Sequence, residues 1–544
     1  MPQLTWLGDA DAKRAARRVP YRMLDPVEQV GDPAAQNWLI QGDNLDALKA
    51  LLPFYAGRVK CVFIDPPYNT KSAFEHYDDN LEHSQWLSMM YPRLELLRTL
   101  LSEHGTLWAT IDDNEGHYLK VIADELFGRG NFVANIVWQS KDTPGNNSTG
   151  IAQTHNHVLV MRKSSAFQFA LMPRNEAQLA NYTNPDDDPR GDWLAAPLTR
   201  AEHRDRDVYP LSNPVGKSVL PPKGSSWRRP PEKMRWLIAD NRVWWGRRGD
   251  AEFPMEKKFL SEAKDGVVNK TWWPYEFAGS TRNASAEIKA LFGGQKAFDT
   301  PKPEKIVQRA LEIASNVDDI VLDSFLGSGT TAAVAHKMGR RWIGIEMGEH
   351  ARTHCLPRLL KVVEGEAGGI SRAVGWAGGG GFRFAQLGAP VFDAAGHIHP
   401  EMRFDTLAAF VWQQETGHAH TPGDPACGAR PGTPLLGIHY GLDSCQRLPD
   451  RREGQISPEA PPAAAPAPRA AIYLLFNGIL GDKRPAGGNV LTREVLSALL
   501  ALHAGSAAPQ APLVVYGEAC RVGPVRLAQA GVTFRHIPHD IRAG

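Results

Sequence analysis

The sequence predicts an α/β protein built on a doubly wound, mostly parallel sheet, interrupted by a β-rich insert and followed by a small α/β module. Three observations predict it. Val59 to Ile64 is rich in β-branched and aromatic residues, as suits a central strand covered on both faces. Strand and helix patterns then alternate as far as about residue 139, which is the signature of helices packed on both sides of a sheet. The same rhythm returns after residue 298 with a helix, a strand, a glycine loop, a helix and a strand. At 544 residues the chain exceeds one core's usual size, so two or three domains are expected.

Taken in order, residues 1–35 read as a polar N-terminal arm, and Lys13-Arg14-Ala15-Ala16-Arg17-Arg18 as a solvated helix, with a DNA-phosphate contact as the other reading. Trp38-Leu39-Ile40-Gln41 is a short strand ending in Gly42-Asp43-Asn44. Leu45, Leu48, Leu51 and Leu52 follow at helical spacing, so Asp43 or Asn44 caps a helix at the mouth of the sheet. After Val59 to Ile64, Pro66 and Pro67 end the ladder, because proline gives no backbone N–H and holds its predecessor extended. Trp86 to Leu101 has helical spacing, and Gly105 to Ile111 is a buried strand ending in Asp112-Asp113. Val133 to Trp138 and His157 to Met161 read as an antiparallel hairpin at the sheet edge.

Between about 140 and 297 prolines, short strands and tryptophans replace the alternation, and seven of fifteen tryptophans lie here. Residues 217–273 hold 13 Lys or Arg against 7 Asp or Glu, in a chain whose formal net charge is only +1. Trp227-Arg228-Arg229, Arg247-Arg248 and Lys257-Lys258 therefore read as candidate DNA contacts, phosphate neutralisation beside aromatic faces. A small β domain using tryptophan as its core is the alternative. Beyond 386, Ala471 to Phe476 and Pro512 to Tyr516 are strands, with a helix from Leu491 to His503 between them and a Pro/Ala-rich linker at 453–470. His397, His399, His418 and His420 form H-x-H pairs without a carboxylate at suitable spacing, and read as surface loop residues rather than metal ligands.

The five cysteines are scattered and form no C-x-x-C pair, so neither a disulfide framework nor a zinc site is expected. No apolar run reaches 18 residues and no signal-type segment is present, which predicts a cytoplasmic protein without a membrane partner.

Two loops carry chemistry. Asp65 and the Pro66 carbonyl sit at a strand's C-terminal edge, where open α/β sheets bind ligands, with Pro67 and Tyr68 beside them. An exocyclic amine on a nucleobase is a poor nucleophile, and two fixed acceptors can draw its lone pair out; a tyrosine face can stack on a base that has left the duplex. A capped proline turn would use the same residues. The second loop, Asp323-Ser324-Phe325-Leu326-Gly327-Ser328-Gly329-Thr330, joins a strand to a helix whose N-terminus offers free N–H groups, and Glu346 ends the next strand. Thr330 stands where a phosphate-binding loop needs lysine, which disfavours ATP hydrolysis. A dinucleotide loop satisfies the same glycine spacing, and the loop alone leaves NAD open.

Asp65-Pro66-Pro67-Tyr68 resembles the catalytic tetrad of amino-group DNA methyltransferases, and the Gly327 loop resembles their S-adenosylmethionine loop. Tetrad first and cofactor loop about 260 residues later, with the insert between, is the order of the β-class, a circular permutation of the Rossmann-like sheet. Together with Gly42-Asp43-Asn44-Leu45, Ile111-Asp112-Asp113-Asn114-Glu115, Lys302-Pro303-Glu304 and Gly379-Gly380-Gly381-Phe382-Arg383, these landmarks are similar to the modification subunits of type III restriction systems over roughly residues 36–385. The resemblance implies methyl transfer to adenine N6 with no metal. Asp65, Pro66, Pro67 and Tyr68 would be catalytic. Asp43, Asn44, Lys302, Pro303, Asp323, Phe325, Gly327, Ser328, Gly329, Thr330 and Glu346 would bind the cofactor. It also implies double-stranded DNA as substrate, a homodimer and a helicase-nuclease partner. The domains expected are a catalytic half at 36–139, a target-recognition insert at 140–297 with core edge strands to about 163, a cofactor half at 298–385 and a C-terminal module at 386–544. A stand-alone or cytosine-N4 enzyme, and a non-catalytic DNA-binding protein, are the alternatives.

Overall fold

The computed structural model describes residues 3–70, 82–144, 150–293, 298, 300–393, 397–421, 432–440, 467–476 and 489–537. Two compact units account for the chain: Met1–Phe169 with Lys270–Gly544, and Ala170–Asn269.

The larger unit is organised by one ten-stranded sheet. Its strands in sequence order begin with β1 (Arg22–Gly31), β2 (Trp38–Gln41), β3 (Val59–Ile64), β4 (Leu101–Ile111), β5 (Phe132–Trp138) and β6 (Asn156–Arg162). Trp272–Trp273, Ile320–Asp323, Arg341–Glu346 and Gly381–Pro390 complete it. Across the sheet the order is β1, Gly381–Pro390, β2, Arg341–Glu346, Ile320–Asp323, β3, β4, β6, β5, Trp272–Trp273. Six neighbouring strands, from Gly381–Pro390 to β4, run parallel. Antiparallel pairing of β6 with both β4 and β5 gives the hairpin expected at that edge.

The parallel strands are apolar on both faces because helices cover both: five of the six side chains of β3 are buried. Helix α2 (Asn44–Tyr55) starts where the Asp43 side chain accepts from the Leu45 and Asp46 amides, at 2.8 and 3.2 Å. Helix α3 (His83–Leu100) packs Trp86, Met90, Leu94 and Leu97 into the same core. Fully burying each such side chain contributes on the order of 2 kcal/mol. The direction of winding reverses between β3 and Ile320–Asp323: the chain leaves β3 toward β4 and leaves Ile320–Asp323 toward Arg341–Glu346. At such a point the two connecting loops diverge and leave a crevice at the strands' carboxyl ends.

Residues 1–35, read from the sequence as a polar arm, hold two elements. Helix α1 (Asp9–Arg18) buries Ala12 and Ala16 against α3, and the Trp6 indole donates to Ser88 Oγ at 2.8 Å. Strand β1 closes the sheet edge against Gly381–Pro390. Most of β1 is exposed, so it carries no apolar run for a sequence reading to find. His420 also departs from expectation: it is buried, with Nε2 at 3.2 Å from the Leu436 carbonyl, rather than lying in a surface loop.

The C-terminal part carries a four-stranded sheet ordered Leu435–His439, Ala470–Leu474, Leu513–Gly517, Val532–His536. Helix Arg493–Ala504 covers it, capped by the Thr492 hydroxyl. Of the linker expected at 453–470, residues 453–466 lie outside the described residues, as do Cys427 and Cys445. Among the described residues no helix is long and apolar enough to cross a membrane.

The smaller unit is a β-rich body with a three-stranded antiparallel sheet (Val243–Trp244, Met255–Phe259, Trp193–Pro197) and helix Pro231–Ala239. Leu198, Leu211, Trp227, Met234, Leu237 and Trp245 form its core. Tryptophan thus replaces aliphatic bulk here. Trp273 belongs instead to the large sheet, stacked on Trp108 with ring centroids 6.2 Å apart.

Candidate active site

The crevice follows from strand register. Leu322 pairs with Val62, so Asp65 and Phe325 each stand three residues beyond a paired position and leave the sheet side by side. A cavity of about 260 Å³ lies there, and Asp65, Pro66, Pro67 and Tyr68 line it together with Phe325, Gly327, Ser328 and Thr330. Lys302 and Asp323 also line it; Asp43, Asn44, Pro303, Gly329 and Glu346 do not.

On the β3 side, Asp65 is held by two groups. Thr110, at the end of β4, donates its hydroxyl to one carboxylate oxygen, and the Lys302 ammonium pairs with the other. The Lys302 ammonium also lies 5.0 Å from the centre of the Tyr68 ring. Burial first, and then the Asp65 carboxylate, push the Tyr68 phenol well above its ordinary range. Behind the loop, the Trp86 indole donates to the Pro67 carbonyl at 2.8 Å. Asn69 adopts φ 59, a left-handed conformation that asparagine tolerates, and donates to Glu115 at 2.7 Å. The ring of His83 reaches the same carboxylate at 2.9 Å. The proline-rich turn is therefore fixed from below by side chains of α3 and of the segment after β4.

On the other side, Gly327 and Gly329 take φ of 56 and 82, which L side chains adopt only with strain. Arg358, itself buried, supports the loop by donating to the Ser328 carbonyl at 3.2 Å and to the Thr330 hydroxyl at 2.8 Å. Glu304 accepts from Arg358 at 2.9 Å and from Lys337 at 2.8 Å, a buried cluster under the loop. Glu346 accepts from the Gly327 amide at 2.8 Å. The Asp323 carboxylate accepts from the Phe325 amide at 2.9 Å, and burial pushes its pKa up to about 7. Asn44 ties the two halves by donating to the Ser324 carbonyl at 2.7 Å, while Asp43 serves as the helix cap and partner of Arg93.

Lys302, expected beside the cofactor, lines the cavity with Phe325 and Gly327, sends its ammonium to Asp65 and accepts from Thr330 through its carbonyl at 3.3 Å. The expected DNA contacts need correction. Trp227 and Lys257, expected on DNA, are buried in the smaller unit: the Trp227 indole donates to the Tyr209 carbonyl at 2.8 Å, and Lys257 is paired with Asp186 and Asp188. Arg229 and Lys258 both bind Glu256. Arg228, Arg247 and Arg248 are exposed, the last two on a turn between Gly246 and Gly249. Sequence reasoning missed Thr110, Arg358 and Lys337. Their partners lie far along the chain, and nothing local distinguishes them from ordinary strand and helix residues.

A family described as "DNA methylase" matches residues 59–355. The type III restriction-modification enzyme StyLTI Mod subunit of Salmonella typhimurium is 31% identical over 368 residues, 61% of this chain and 55% of that protein. The EcoP15I Mod subunit of Escherichia coli is 30% identical over 409 residues, 62% of each chain. The type II methyltransferase M.KpnI of Klebsiella pneumoniae is 30% identical over 321 residues, 54% of this chain and 75% of that one. The chain spans between 55% and 62% of the length of these two type III relatives.

Proposed function

The chain belongs to the DNA methylase family, and from that premise we propose that it methylates N6 of adenine in double-stranded DNA, with S-adenosylmethionine as donor, as the modification subunit of a type III-like restriction system. The observation that carries this reading is one cavity lined by both Tyr68 and Gly327, loops separated by most of the catalytic half and the whole insert.

The residues present fit the donor. Gly327 leaves the cavity wall without a side chain that would block close approach, Phe298, Phe325 and Leu326 supply an apolar wall, Asp323 lines the same cavity, and Glu346 lies behind the loop, accepting from the Gly327 amide. When bound, the donor supplies an electrophilic sulfonium methyl. Asp65 and the Pro66 carbonyl would orient the amine so that its lone pair points at that methyl, and Asp65 would take up the amine proton released on transfer and pass it to solvent. No covalent link to the protein is needed, so the barrier falls mainly through positioning. Because Lys302 and Thr110 already engage Asp65, the incoming amine competes with Lys302 for one carboxylate oxygen. Tyr68 offers the aromatic face for a base taken out of the stack. Arg228, Arg247 and Arg248 supply phosphate contacts. We also propose a second copy of this chain and a helicase-nuclease subunit as partners; that the type III relatives are named as Mod subunits supports another subunit beside this one.

The test is product identity. Full-length protein is incubated with labelled donor and unmodified DNA, and the digested nucleosides are resolved by mass spectrometry. The label is expected in N6-methyladenine. Label in N4-methylcytosine would overturn the base assignment, and no label in DNA of any sequence would overturn the enzyme reading.

A further inference from the structure

The hairpin beyond β4 brings together residues that the methyl-transfer site does not use. His157 stands opposite Ile111 in the β4–β6 ladder, so Asp113, two residues past Ile111, turns toward the start of β6. His155, just before β6, and His157 lie ring to ring with centroids 5.2 Å apart, while Asn156 between them points the other way. The donor atoms of Asp113, His155 and His157 all lie within 4.8 Å of one another. Asn156, by contrast, lines the cavity that holds Asp65.

We propose that Asp113, His155 and His157 form a divalent transition-metal site of two imidazoles and one carboxylate, separate from the methyl-transfer cavity. The donor set, two neutral nitrogens and one anionic oxygen on three different backbone positions, suits Zn²⁺ or Co²⁺ and leaves a position open to water. Tetrahedral bonds of about 2.1 Å set ligand atoms roughly 3.4 Å apart. Side-chain rotation at Asp113, whose side chain is half exposed, can close the difference. A second cavity, about 240 Å³, opens beside the cluster and is lined by Asp113, His157, His117 and Asn135, so an ion has an entry path.

The outer partners also suit a metal. His157 Nε2 now lies 2.8 Å from Asp113, and its Nδ1 lies 3.1 Å from the Asn135 amide nitrogen. Ligation through Nε2 moves the ring proton to Nδ1, and turning the Asn135 amide presents its oxygen to accept that proton, the usual hydrogen bond behind a ligating histidine. Gln153 donates to the second Asp113 oxygen at 3.0 Å. Lys120, the nearby cation on the cavity wall, is neutralised by Asp124 at 2.5 Å. An ion here would tie the end of β4 to the start of β6, the strand that carries Asn156 into the larger cavity. The sequence alone expects no metal, because Asp113 and the two histidines are separated by a strand and a helix and meet only through sheet register.

Chelator-treated full-length protein is titrated with Co²⁺ and followed by visible absorption. The expected result is saturation at one equivalent with d–d bands, loss of those bands on adding Zn²⁺, and at least tenfold weaker Co²⁺ binding in D113N and in H155Q with unchanged circular dichroism. In wild-type protein, Zn²⁺ should also protect His155 and His157 from diethyl pyrocarbonate, read by mass spectrometry. Absence of a one-equivalent endpoint, variants that bind as tightly as wild type, or equal modification of both histidines with and without Zn²⁺ would each overturn the site.

Discussion

Substituting Glu304→Gln tests how the glycine loop is held. The Glu304 carboxylate is buried and accepts four hydrogen bonds: two from Lys337 at 2.8 and 2.9 Å, one from Arg358 at 2.9 Å and one from the Ile370 amide at 2.9 Å. Those cations hold its ionised form below the usual carboxylate range despite burial. Breaking a buried pair leaves an uncompensated charge, at a cost of about 3–5 kcal/mol. Here the lower end applies, about 3 kcal/mol. Lys337 keeps Glu366 as a partner, whereas Arg358 loses its carboxylate. Glu287, whose pKa is pushed up to about 7 by burial and by Glu304, is also relieved when Glu304 is neutralised. Urea unfolding of wild type and E304Q at pH 7.5 measures the difference. Because Arg358 carries the Ser328 carbonyl and Thr330, the donor Kd should rise at least tenfold, with little change in DNA affinity. A stability loss under 1 kcal/mol together with an unchanged donor Kd would show that Glu304 does not hold the glycine loop through Arg358.

Three further outcomes are expected. The Asp323 carboxyl titrates at about 7 in the folded chain against an ordinary carboxylate value near 4, so the native state binds the extra proton and stability falls as pH rises from about 4 to 7, by on the order of 4 kcal/mol; D323N, which keeps an acceptor for the Phe325 amide, should flatten unfolding curves across that window, and an unchanged slope would show that Asp323 does not titrate there. Arg247→Ala and Arg248→Ala should each weaken DNA binding and reduce the magnitude of the log–log salt slope by about one, measured by fluorescence anisotropy; identical slopes would remove these residues from the interface. Trp227→Ala should instead destabilise the smaller unit by about 3–5 kcal/mol, as large-to-small changes in a core do, and limited proteolysis within 170–269 would report it.

What the sequence revealed and what it hid divide along a physical line. The β3 run, its double proline stop and the Gly327–Gly329 spacing are local signals, because strand burial and positive-φ turns are decided by a few consecutive residues. The cap at Asp43 was legible for the same reason. The pairing of Lys302 with Asp65 was not: the two residues are 237 positions apart and meet through the topology of the sheet. Arg358 and Glu304 are similar, as charges in amphipathic helices that ordinarily face water. In the smaller unit, basic and aromatic residues interleave both where a chain contacts DNA and where a thin core recruits tryptophan and pairs its lysines internally. Only burial separates Trp227 and Lys257 from Arg247 and Arg248.

In the proposed mechanism Asp65 activates the acceptor in a cavity whose other wall holds the donor. Methyl incorporation by wild type and D65A, with donor Kd measured on the same preparations, tests it most directly. Donor binding is expected to stay within about threefold of wild type and methyl transfer to fall at least about a thousandfold, the order expected when a positioned acceptor is removed. Methyl transfer surviving within tenfold of wild type in D65A would contradict it.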